Sequence, residues 1–228
     1  MQKKHIYFLL YAVLSASVIW SQLIHADNIQ VFLKPLLMPA LMLIYFSLNK
    51  YVFKKQDYLL LAALFFSMWG DVFLMPSPDI FMAGLGSFLT AHIFYLILFI
   101  PDIRKPIQLN TQQKAIAAIG FAFFVFLIVT ILSQLISDNK SPILMVAIAI
   151  YASVLFSVFA VAILRQKQSA LSYRYILIGA SLFLLSDGLL ALNKFVEPMP
   201  LSRLWVMSTY TSAQAFLMYG WLIRSRKD

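Results

Sequence analysis

The sequence predicts an all-α fold, a polytopic bundle of eight transmembrane helices, and three observations carry that prediction. Of 228 residues, 62% are hydrophobic and only 12% are charged, about half the charged share of a soluble domain. A soluble chain of this size has no interior able to hide that much apolar surface behind so few charges. Eight separate stretches approach the roughly 20 apolar residues that cross a bilayer. The breaks between them are short and carry Pro, Asn, Asp, Lys and Ser, the chemistry of loops.

The expected spans are 6–24, 29–48, 57–75, 80–100, 113–136, 142–164, 173–192 and 203–223. Lys3 and Lys4 ahead of the first imitate a signal peptide. The long apolar run and the lack of a small-x-small cleavage site make it a retained span. The second holds Lys34-Pro35 near its start, where proline is tolerated because a first-turn N–H has no intrahelical partner. The third ends at Pro76-Ser77-Pro78-Asp79. The fourth carries a small-residue stripe, Ala83, Ser87 and Ala91, read as close helix packing. The last four are separated by 137–141, 165–171 and 194–202. No stretch reads as a soluble domain, so 1–228 is expected to form one membrane domain.

The net charge of +9 is topology rather than nucleic-acid binding. On the N-terminal side lie fourteen basic residues: Lys3, Lys4, Lys50, Lys54, Lys55, Arg104, Lys105, Lys114, Arg165, Lys167, Arg174, Arg224, Arg226 and Lys227. The other side has four: Lys34, Lys140, Lys194 and Arg203. Short cytoplasmic loops collect Lys and Arg. Both termini are therefore expected in the cytoplasm, with the protein in a bacterial inner membrane. Trp20, Trp69, Trp205 and Trp221 all fall near span ends, where amphipathic rings favour the interface. The absence of Cys excludes disulfides, thiolate zinc sites and thiol nucleophiles. His5, His25 and His92 lie at different depths, so no three-histidine metal site is expected, and no cofactor is called for.

Ionisable groups inside spans are expensive and mark function by default. Asp71 lies four residues from the outer limit of span three and Asp187 five from that of span seven. At 1.5 Å per residue both sit roughly 6–8 Å deep, so the two carboxylates can share one cavity. Capping or backbone binding explains a single intramembrane Asp more readily than a depth-matched pair. Lys34 is placed to hold a phosphate, to pair with an Asp or to snorkel outward. Asn193 and Lys194 follow Asp187, and Lys194 reads as a loop lysine. His92 lies mid-span, and Tyr210 and Gln214 share one face of span eight, where polar groups often only tie helices together. An internal echo links Gly70-Asp71-x-x-Leu74 to Ser186-Asp187-x-x-Leu190, with Ala91-His92-Ile93-Phe94 answered by Ala213-Gln214-Ala215-Phe216. It predicts two four-helix halves related by a parallel repeat.

Five motifs in order, KPLLMPAL (34–41), GDVFLM (70–75), GLGSFLTAHIFY (84–95), SDGLLALNKF (186–195) and YTSAQAFL (210–217), resemble the YhhN-like family of integral membrane lysoplasmalogenases. The resemblance covers spans two, three, four, seven and eight. It implies an eight-helix enzyme that hydrolyses the vinyl ether bond of lysoplasmalogens, releasing a fatty aldehyde and a glycerophospho-choline or -ethanolamine. It also implies that the family's polar positions fall on Lys34, Asp71, His92, Asp187, Asn193, Tyr210 and Gln214.

The residues fit that chemistry independently. A vinyl ether is not an ester, so neither a serine nucleophile nor an oxyanion hole is needed. Protonating the alkenyl carbon gives an oxocarbenium ion, water adds, and the hemiacetal collapses. The reaction asks for one neutral acid and one carboxylate, the division of labour found in glycosidases. Asp71 and Asp187 are the expected acid–base pair, in either order. Lys34, His92, Asn193, Tyr210 and Gln214 are the expected substrate-binding groups, with a lysophospholipid and membrane lipids as partners. Three rival readings use the same features: a proton-coupled transporter, a lipid-binding or structural membrane protein, and an ester hydrolase acting on lysolipids.

Overall fold

The structure, a computed structural model, describes residues 2–49, 53–75, 80–103, 107–165 and 169–224, with side chains from residue 4 onward. The Pro76–Asp79 break lies outside the described residues, as do Lys50, Arg104, Lys105, Lys167, Arg226 and Lys227 from the charge count. The helices are α1 (Gln2–Leu23), α2 (Asp27–Leu33), α3 (Leu37–Leu48), α4 (Lys55–Phe73), α5 (Phe81–Phe99), α6 (Thr111–Ser137), α7 (Pro142–Leu164), α8 (Ala170–Phe195) and α9 (Ser202–Arg224). Among the described residues no strand forms, and the only β-bridge joins Ile103 to Arg165. The molecule is an all-α polytopic bundle.

Local chemistry sets the boundaries. Asn110 and Gln113 form a reciprocal box at the start of α6, with bonds of 2.8 and 3.0 Å, which satisfies two otherwise orphaned N–H groups. Beyond α6, Asn139 turns left-handed at φ 52°, a conformation Asn accepts better than most residues. Span two departs from the expected continuous helix. Pro35 lies beyond the first turn of α2, so its missing N–H and its ring break the ladder. A 3-10 turn, Lys34–Leu36, joins α2 to α3.

Among the described residues six helical segments are long and apolar enough to cross a membrane: Lys4–Leu23, Asp27–Leu48, Phe81–Asp102, Thr111–Ser137, Pro142–Leu164 and Ala170–Phe195. This is an integral membrane protein. The other two expected spans, α4 and α9, are not among them, because they carry Asp57 and Asp71, or Arg203, Tyr210 and Gln214. Neighbours shield both: α9 packs on α1, α3 and α8, and α4 packs on α3 and α5. The most extensive pairings, α4 with α5 and α8 with α9, are the two hairpins that carry the sequence echo.

One buried core draws on Tyr11, Leu37, Leu60, Tyr95, Leu155, Ile176 and Leu217, and a smaller cluster joins Leu127, Ile131 and Leu135 to Ile148. Within the small-residue stripe only Ala91 is buried, and Ala83 faces outward. The close approach of α4 to α5 instead depends on Gly70, where an added Cβ would sit 2.5 Å from the Phe88 ring.

At the end of the bundle where α4 and α6 begin, the described polar groups close a network. Asp102 accepts from Arg165 Nε (3.0 Å) and Nη2 (2.5 Å) and from Arg224 Nη2 (2.6 Å). Arg224 Nη1 donates to Gln56 Oε1 at 2.8 Å. Asp57 accepts from Tyr45 Oη (2.7 Å), Trp221 Nε1 (3.1 Å) and the Lys54 backbone (2.8 Å). Trp221 is fully buried. It is not the interfacial anchor its place near a span end suggests. Trp20 and Trp205 are exposed and fit that role.

Candidate active site

The opposite end of the bundle is hollow. A cavity of about 300 Å³ opens there, and Lys34, Asp71, Asp187, Asn193 and Tyr210 all line it. The helices meet this end alternately by C-terminus and N-terminus, so residues distant in sequence reach one depth. α4 brings Asp71 near its last turn, α8 brings Asp187, α9 brings Tyr210, and the 3-10 turn brings Lys34. The break at Pro35 lets Lys34 leave the line of α2 and point inward.

The two carboxylates have different neighbours. Asp71 is 2% exposed. It faces the Lys34 ammonium at 3.5 Å and accepts a hydrogen bond from Tyr210 Oη at 2.7 Å. Lys34 is itself buried, so it does not snorkel, and its nearest charge is Asp71. Asp187 accepts from Tyr151 Oη on α7, and among the described residues no cation pairs with it. Lys194 lies over the Phe81 ring, 4.4 Å from its centroid. Asp187 is half-buried, and a carboxylate drawn from water without a cation is costly to hold as an anion, whereas Lys34 and Tyr210 give Asp71 the surroundings of one.

The remaining expected residues divide. Asn193 lines the cavity while its Oδ1 accepts from the Met199 backbone at 2.9 Å, which fixes the α8–α9 loop as a rim. His92 does not line the cavity. Its Nδ1 bonds the Phe88 carbonyl at 2.6 Å, and its ring packs edge-on against Phe183 and Tyr151, behind the tyrosine that holds Asp187. Gln214 is also outside. Its Oε1 accepts from Tyr95 Oη (2.6 Å) and its Nε2 donates to Ser67 Oγ (3.0 Å), tying α9 to α4 and α5 one turn below Tyr210.

Several lining residues carry no signal in the sequence. Gln22, Gln30 and Arg203 surround the mouth. Arg203 Nη1 donates to the Gln22 carbonyl and lies 3.1 Å from His25 Nδ1. In sequence Arg203 is one of four outer basic residues, which was the only available hint. Tyr151 stands in an unbroken apolar helix, and nothing local marks it.

The chain matches the model of the YhhN family over residues 29–221. It is similar to the pig lysoplasmalogenase TMEM86B, 31% identical over 156 residues, which is 68% of this chain and 60% of that protein. The human lysoplasmalogenase TMEM86B is 29% identical over 70% of this chain and 61% of its own length. The human lysoplasmalogenase TMEM86A is 28% identical over 67% and 60%. The matched region thus spans about 60% of the length of these relatives. No solved structure matches the chain significantly. With a family match that runs from α2 to the last turn of α9, the chain belongs to the YhhN family.

Proposed function

We propose that the protein is a membrane lysoplasmalogenase, a hydrolase of the vinyl ether bond in single-chain glycerophospholipids. The observation that carries this reading is the meeting of Asp71 and Asp187 in one cavity with different partners. The names of the relatives support the activity class. Among the described residues the Asp102 and Asp57 networks tie the inner end together, which favours a one-sided reaction chamber over a carrier that opens to both faces.

In this reading Asp187 holds the proton and Asp71 is the anion. The proton passes from the Asp187 carboxyl to the chain-bearing alkenyl carbon, whose π pair makes the new C–H bond. An oxygen lone pair completes the oxocarbenium ion. Water adds to the carbon attached to oxygen and gives its proton to Asp71, whose negative charge has meanwhile stabilised the cation. The hemiacetal hydroxyl then returns a proton to Asp187 as the C–O bond breaks, and Asp71 delivers its proton to the leaving glycerol oxygen. One water is consumed and both carboxyl groups are restored. Lys34 and Tyr210 hold Asp71, Tyr151 holds Asp187, and Arg203 at the mouth meets the lipid phosphate. His92 and Gln214 act behind this layer as positioning residues. No step requires a cofactor.

The chain 1–228 is read as one domain of two related halves, in a bacterial inner membrane, with both termini cytoplasmic and the cavity opening outward. The test of function is incubation of the purified protein with a lysoplasmalogen and, separately, with its ester analogue. Aldehyde from the first and no fatty acid from the second is the expected result. Fatty acid alone would make it an ester hydrolase, and neither product would remove the enzymatic reading.

A further inference from the structure

Beside the polar cavity lies a space of opposite character. It runs between α5, α6, α7 and α8, and its walls include Leu85, Leu127, Ile131, Ile148, Leu155 and Leu184. Among the described residues, polar groups enter it only as Tyr151, Asp187 and, near the C-terminal end of α8, Lys194. Leu74, Phe88, Asp187 and Leu190 line both spaces, so the two adjoin at Asp187. α5 and α6 each pack on α7 but hardly on one another, and the apolar space lies between their side chains. Gly188 keeps this region narrow: a Cβ there would meet Leu127 at 2.8 Å and Phe123 at 3.0 Å.

We propose that this apolar space, about 70 Å³ in volume, is a subsite for the first methylenes of the hydrocarbon chain of a single-chain lipid whose headgroup occupies the polar cavity, so that these carbons lie against Asp187. The chemistry at that carbon rests on the hydrolase reading, whereas the subsite is a statement about binding. A lysolipid is one charged head and one apolar chain joined at a single point. The molecule offers a polar and an apolar space that meet at a single carboxyl group.

The chain gains little free energy by leaving the bilayer, because lipid tails are as apolar as the Leu and Ile walls. The subsite therefore acts through shape: it directs an unbranched chain past Asp187 and away from the polar cavity. A second chain would have to lie in that cavity against the Lys34 ammonium and the Asp71 carboxylate and take water from both, which is costly. Single-chain lipids are selected for that reason. The direction of the chain also fixes the chemistry. The alkenyl carbon that bears the chain faces Asp187, and the carbon attached to oxygen faces the polar side, where Asp71 and water are.

The test uses the full chain in lipid nanodiscs and a non-hydrolysable alkyl-ether lysophosphoethanolamine carrying a diazirine within the first few carbons of its chain. Irradiation is expected to place the label on 124–131 of α6 and 148–155 of α7. Ala152→Phe, which fills the space, is expected to cut that labelling about tenfold and to slow turnover of a vinyl ether lysolipid. Ala191→Phe fills the same space from α8 and serves if the first variant does not fold. Label spread over the lipid-facing sides of α1 and α9, or labelling unchanged by both folded variants, overturns the subsite. Wild-type protein that labels in α6 and α7 but releases no aldehyde from a vinyl ether lysolipid keeps the subsite and retires the hydrolase reading. Aldehyde release with the label elsewhere does the reverse.

Discussion

The two ends of the bundle spend their buried charge in opposite ways. At the inner end Asp102 takes three hydrogen bonds from two arginines, and Arg165 is fully buried beside it. Asp57 takes bonds from a tyrosine, a tryptophan and a backbone amide. At the outer end Asp71 and Asp187 have fewer partners and face an open cavity. Burying charge is expensive at either end. The inner end recovers much of the cost through dense pairing, which locks α3, α4, α5, α7 and α9 together, with Arg165 Nη1 and Arg224 Nε left over. The outer end leaves polar capacity free for a substrate. On the proposed reading, an acidic residue in this membrane protein is structural or chemical according to how many donors already hold it.

That contrast can be broken by substitution. Asp102→Ala strands two buried guanidinium groups and should destabilise the fold by about 3–5 kcal/mol, seen as a lower unfolding midpoint in detergent. A midpoint equal to wild type would mean the inner network holds nothing together. Lys34→Ala leaves Asp71 without its cation and should lower kcat by roughly 10–100-fold, with a smaller change in KM. Lys34→Arg should recover part of the loss. A change confined to KM would assign Lys34 to the lipid phosphate instead of to Asp71.

Arg203 is half exposed at the mouth, so Arg203→Ala should raise KM about tenfold with kcat little changed. An unchanged KM would move phosphate binding elsewhere. The smallest perturbation asks only which end is which. Single cysteines at Ser137 and Lys55 should differ, with the first labelled by an impermeant thiol reagent added outside and the second not. The reverse pattern would turn the cavity toward the cytoplasm.

How much of this was readable in advance follows from physics at particular residues. Asp71, Asp187 and Lys34 were legible because an ionisable group in an apolar run is costly, and counting residues from the span ends gave the depth of each Asp. Tyr151 was not. Its neighbours Ile150 and Ala152 are ordinary membrane-helix residues, and only the packing of α7 on α8 aims its hydroxyl at Asp187. Asp57 and Asp102 sit where spans end and read as loop chemistry, since their partners Trp221, Arg165 and Arg224 are 63 to 164 residues away. Trp221 was misread for the same reason: position near a span end predicts an interface only if the side chain faces lipid. Tyr210 and Gln214 share a helix face, as their spacing requires, yet one turn of depth puts Tyr210 on Asp71 and Gln214 on Tyr95 and Ser67.

The central claim is that the open end does chemistry with its carboxylates while the closed end only holds the fold. It is tested most directly by Asp187→Asn, with turnover of a lysoplasmalogen and the unfolding midpoint measured on the same purified sample. The side chain keeps its shape and loses its proton-donating role. Turnover should fall by roughly 10²–10⁴-fold while the midpoint stays at the wild-type value. Full turnover in a protein with a wild-type midpoint would contradict the account.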